Sequence, residues 1–146
     1  MQERFVFEAM IQEATMGLEA ASADFVAAMH AGDTQVARDA SARGEATLKT
    51  LVQLRQLQDS ATPWIDKSFW QEKVGRLTKD GVTSDLQSRQ AINKIVHADP
   101  SRRTLPGYEF HPRHIVHLKG EEHGKDWVAE LDVMSLVEAS KRIIWI

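Results

Sequence analysis

One short break in an otherwise continuous helical period constrains this chain most. Phe5, Ala9, Ile11, Met16, Leu18, Ala21, Phe25, Ala28 and Met29 recur at three- and four-residue intervals from about Gln2 to His30, the spacing of one helix face. Val36, Ala37, Ala40, Ala46, Leu48, Leu51, Val52, Leu54 and Leu57 repeat the pattern from Thr34 to about Asp59. Only Ala31-Gly32-Asp33 separates the two runs. Gly32 suits the left-handed residue that ends a helix, and Asp33 the cap that opens the next. Two long helices joined this tightly must lie antiparallel. Their Met and aromatic positions then read as core.

Downstream, Pro63 and Trp64 form a connector, and Ser68-Phe69-Trp70-Gln71 has the form of a capping box, predicting a helix from Ser68 to about Lys79. Asp80-Gly81 would close it. Ser84 and Gln87 form a second capping box, predicting a helix from Asp85 to about Ala98 with Leu86, Ala91, Ile92, Ile95 and Val96 inward. Asp99-Pro100 ends it. Gly44 and Gly75 read as points of close helix packing. After a polar loop, Arg113–Lys119 and Lys125–Val133 alternate in the strand period about the turn residues His123 and Gly124. Partner numbers then sum to 247, placing Val116, Leu118, Ala129, Leu131 and Val133 on one face and His117 opposite Glu130 on the other. The expected fold is mainly α. A four-helix up-and-down bundle (1–99) precedes a β-hairpin (112–134) and a short terminal helix (135–145), in a single domain over 1–146. A lone two-stranded hairpin must lie on the bundle or offer its edges to a second copy, so a homodimer is expected.

Composition narrows the chemistry. With no cysteine, disulfides, thiol catalysis and cysteine-ligated zinc are excluded. No apolar run approaches the roughly 18 residues that span a bilayer, and Met1–Phe5 lacks the form of a secretory signal. A cytoplasmic location without membrane attachment is the expectation. The net charge of −3 is unevenly spread, −5 over residues 1–66, +4 over 67–113 and −2 over 114–146. The basic middle either neutralises its acidic neighbours within the fold or forms a surface for an anionic ligand.

Within that middle, Arg89, Asn93 and His97 follow one another at i, i+4 and i+8 and share a helix face. Arginine presents a planar fork to phosphate, and imidazole exchanges protons with hydroxyls and leaving oxygens near neutral pH. Together they suit metal-free cleavage of RNA, with Arg89 on phosphate, Asn93 orienting it and His97 as general acid/base. Arg102, Arg103 and Arg113 flank a loop bearing Tyr108 and Phe110, a combination suited to single-stranded nucleic acid. Lys94 and Lys79 would extend that patch. His111, His114 and His117 resemble a metal spacing, but on a strand His114 points opposite to His117 and Pro112 interrupts the run. No metal site and no cofactor is expected. A metal-dependent hydrolase would need His111, His117 and a carboxylate such as Glu130 to converge.

The long helix pair, the shorter helices after it and the late helix with Arg89, Asn93 and His97 resemble HEPN domains over about residues 1–100. These are small helical bundles found in many bacterial toxins and defence proteins. In that family an Arg followed four to six residues later by His forms a metal-independent RNase site, usually across a dimer. Here seven residues separate the two. The resemblance implies an RNA-directed protein of a defence or toxin system, with Arg89, Asn93 and His97 as the catalytic set. The competing expectation is a non-catalytic module whose acidic helical hairpin docks a partner protein.

Overall fold

The computed structural model describes residues 2–54 and 64–146. The helical hairpin is present as read. Helix α1 (Gln2–Ala31) ends at Gly32, whose φ of 75° is the left-handed conformation a glycine adopts without steric cost. Helix α2 (Thr34–Leu51) starts at Asp33, whose side chain accepts from the Val36 amide at 3.1 Å. The expected reach of this helix to Asp59, and Pro63 of the connector, lie outside the described residues. Gly44 is a packing glycine: a methyl group there would meet Leu18, Ala21 and the His114 ring.

The expected mainly α bundle is not what the chain forms. Among the described residues there are four α-helices and a five-stranded antiparallel sheet in the order β2-β1-β5-β4-β3. Its strands are β1 (Lys73–Lys79), β2 (Val82–Gln87), β3 (Tyr108–Phe110), β4 (His114–Glu122) and β5 (Lys125–Asp132). The helix expected over 68–79 is replaced by a five-residue 3-10 turn, Lys67–Gln71, followed by β1. That turn is capped by Asp66, which accepts from the Ser68 amide at 3.1 Å, rather than by Ser68. Asp80-Gly81 is a hairpin turn, not a helix end: both residues have positive φ, 51° and 79°. This is the pairing that matches strand twist in a two-residue turn. Helix α3 is correspondingly shorter, Ser88–His97.

The C-terminal hairpin keeps the expected register, from Ile115↔Asp132 to Glu122↔Lys125 across the His123-Gly124 turn. Val133 does not extend it, because Asp132 caps helix α4 (Val133–Lys141) at that point. The hairpin is also not a lone appendage. It forms the middle of the sheet, with β5 paired to β1 and β4 to β3. The open edges are therefore β2 and the three-residue β3.

Leu77, Leu86, Val116, Trp127, Ala129 and Leu131 are buried together with Ile11, Leu18, Leu48 and Leu51 of the helical hairpin. Ala91 and Ile92 of α3 and Leu136 and Val137 of α4 close the same core. Two glycines permit the closest approaches. At Gly120 any Cβ would overlap the Trp127 indole, its register partner. At Gly75, beside a register shift in β1, a Cβ would overlap the backbone of Glu130 on β5. Gly75→Val is therefore expected to destabilise by about 1–3 kcal/mol, read as a lower urea midpoint at unchanged slope.

Candidate functional site on helix α3

Helix α3 is anchored at both ends. Its first amide, Ser88 N–H, donates to Glu72 O at 2.8 Å, and the Ser88 hydroxyl donates to Phe69 O. The Gln87 amide donates to Gln90 Oε1 at 2.9 Å. The cap is thus Gln87 with Gln90, one turn later than the expected Ser84 with Gln87. At the other end, Asp99 N–H donates to Lys119 O at 2.8 Å. Asp99 accepts from both the amide and hydroxyl of Ser101, contacts that hold its carboxyl below the usual carboxylate range.

Because Ala91 and Ile92 face the core, helical periodicity turns Arg89, Asn93 and His97 to solvent, and all three are exposed. At a rise of 1.5 Å per residue, the Arg89 and His97 Cα atoms stand about 12 Å apart along the axis. The helix therefore presents a strip with a cation at one end and an imidazole at the other. Arg89 also borders an open hollow of about 640 Å3 with Lys67, Trp70, Gln71 and Gln87. Neither Lys67 nor Arg89 is in an ion pair among the described residues. No sequence signal announces this hollow, because the Ser68–Gln71 pattern predicts a helix that would contain Trp70 and Gln71.

The five residues expected to bind nucleic acid beyond α3's outer face all make contacts within the fold. Lys94 is 6% exposed, donates to Glu122 Oε2 at 2.8 Å and sits 4.6 Å over the Trp127 ring. With Lys79 it holds the Glu122 carboxyl below its ordinary range, the Lys94 hydrogen bond being the main cause. Arg102 bridges Glu121 and Asp126, each at 2.5 Å. Arg103 pairs with Glu45 at 2.5 Å and donates to Gly107 O. Arg113 meets Asp132 and Glu138. Tyr108 and Phe110 pack edge-on against Phe25. A second hollow, of about 590 Å3 between α2 and the end of α3, is bordered by Glu45, Asp99, Arg103 and Lys119, so its charges are mixed.

The three histidines diverge as expected. His111 is exposed, His114 is buried and His117 is half-buried. His114 stacks on Phe25 at 4.1 Å between centroids, and its Nε2 lies 2.9 Å from Ser41 Oγ. A serine against an imidazole has the form of a nucleophile and its base. Here both are closed from solvent, and His114 Nδ1 has no hydrogen-bond partner among the described residues to orient the ring. The pair is a structural contact.

No family model, curated protein or solved structure matches this chain. No helix among the described residues is long and apolar enough to cross a membrane.

Burial pushes the His114 imidazole down from 6.5 to about 4. The unfolded chain therefore binds this proton before the folded one. Stability from His114 is complete above pH 6.5 and is lost progressively as pH falls toward 4, by up to about 3 kcal/mol. Denaturation of wild type across that window should show the decline, and His114→Phe should flatten it. Asp99 and Glu122, whose carboxyls are lowered, give stability that is present at neutral pH and is lost only as pH falls through the ordinary carboxylate range, so their loss begins at the acid end of the His114 window.

Proposed function

We propose that this chain is an RNA-directed protein that engages a single strand along the outer face of α3 and the adjoining hollow. The observation that carries the reading is the meeting of Arg89 and Lys67 with the Trp70 ring and two amides in one open hollow. Phosphate is met by the cations, an unpaired base stacks on the indole, and Gln71 and Gln87 offer donors and acceptors to base edges. Asn93 and His97 continue the track along the helix. The four consecutive helices expected over residues 1–99 are interrupted here by β1 and β2, and the hollow, not the likeness to HEPN domains, supports this reading.

In the catalytic form of this proposal, Arg89 binds a phosphate, Asn93 orients the strand and His97 takes the 2′-hydroxyl proton or returns one to the leaving oxygen. The separation of about 12 Å sets Arg89 on a different phosphate from the one His97 serves. Arg89 is then a positioning contact, and a second copy would be the source of another cation at the scissile phosphate.

Anisotropy with a labelled single-stranded RNA at low salt tests the surface. Arg89→Ala and Trp70→Ala should each weaken binding about tenfold, or ~1.4 kcal/mol, with a smaller salt slope for the arginine variant only. Absence of wild-type binding, or binding indifferent to both substitutions, removes the proposal. Degradation of the same RNA in excess chelator separates cleavage from binding: a cleaving protein loses turnover in His97→Ala while still binding.

A further inference from the structure

We propose that Glu109, His117 and Glu130 bind a divalent first-row transition ion of the zinc class. The three lie on the outward face of the sheet. The β4–β5 register sets His117 directly opposite Glu130, and the β3–β4 register sets Glu109 opposite Ile115, one diagonal step from His117. Their nearest ligand atoms, one from each residue, all fall within 4.8 Å of one another. Donors on one tetrahedral zinc-class ion, each at about 2.1 Å, stand ~3.4 Å apart. Side-chain shifts of about an ångström, shared between partners, close the site.

The independent sign of a ligand is on His117 itself. Its Nε2 is shut off from solvent and has no hydrogen-bond partner among the described residues. The nearest carboxylate oxygen, Glu109 Oε1, is 3.4 Å away but outside hydrogen-bonding geometry. An imidazole nitrogen shielded from solvent, with one carboxylate at 3.4 Å and a second within 4.8 Å, is the donor a borderline metal prefers, while all-oxygen sites suit calcium and magnesium.

Arg76 does not occupy the site. It donates to Glu130 Oε2 at 2.8 Å, which fixes the carboxylate as outer-sphere partners of metal ligands do. Two carboxylates against one guanidinium leave a local charge of −1, which a divalent ion reverses. On the carboxylate side a hollow of about 310 Å3, bordered by Arg76, Glu109, Glu130 and Asp132 but not by His117, gives room for water to complete the coordination. The ligand positions alternate along the strands with the inward-facing Val116 and Leu131, and His117 also borders the hollow between α2 and the end of α3.

Zinc titration of chelator-treated, dialysed full-length protein by calorimetry tests the site. One equivalent is expected to bind, and His117→Gln and Glu109→Gln, both at partly exposed positions, should each weaken it at least about tenfold. The melting temperature of wild type should rise by about 5 °C or more at a hundredfold excess over Kd, with little rise in either variant. Cobalt in place of zinc should give a visible absorption band that His117→Gln loses. His123→Gln, at the exposed hairpin tip, and Arg89→Ala, in the proposed RNA surface, should bind zinc as wild type does. Absence of stoichiometric binding, equal binding by both site variants, or loss on His123→Gln overturns the proposal.

Discussion

The seam between β1 and β5 is the contact on which the rest of this structure depends. Each of the two hairpins, β1–β2 and β4–β5, is too small to be stable alone in water. Pairing Gly75–Lys79 with Trp127–Leu131 makes them one sheet, wide enough to cover the helical hairpin with a continuous apolar face. The seam closes only because Gly75 lets the two backbones approach where a side chain would overlap Glu130. The same pairing sets Arg76 against Glu130, so the line of polar side chains across the outer face follows from the join that buries Leu77, Ala129 and Leu131 on the inner one.

The parts of this fold that could be read in the sequence are those where one period dominates. The helical hairpin carries a three-to-four spacing over some fifty residues with one unambiguous break. The β4–β5 hairpin alternates cleanly on both sides of a His-Gly turn, and its register followed. The β1–β2 hairpin was hidden for a specific reason. Val74 and Leu77 are three apart, a helical interval, and both are buried. A strand buries two residues three apart only if its phase shifts, and β1 has such a shift between Lys73 and Gly75. The bulge disguised the period. Asp80-Gly81 is equally suited to ending a helix or turning a hairpin, so it does not correct the helical sense of the residues before it.

Charge placement resolves the choice left open by the basic middle of the chain. Arg103 reaches back to Glu45, while Arg76, Lys79, Lys94, Arg102 and Arg113 reach forward to carboxylates on β4, β5 or α4. Most of the basic excess is thus neutralised inside the fold. The exposed pairs among them add little to stability, so their main effect is on what surface potential survives. Among the described residues, Arg89 and Lys67 keep their charge for solvent, and they do so beside the same indole.

This contrast explains why one candidate surface could be found in sequence and the other could not. Arg89, Asn93 and His97 lie on one short helix, so their common face follows from the i, i+4, i+8 interval and from the burial of Ala91 and Ile92 between them. Glu109, His117 and Glu130 come from three strands, and the gap from Glu109 to His117 has no fixed meaning until β3 is paired with β4. His111 lies in the bend between β3 and β4, and alternation along β4 carries His114 into the core while leaving His117 facing Glu130. Proximity along the chain misleads within a sheet, where neighbours are set by register. Within a helix it is the register.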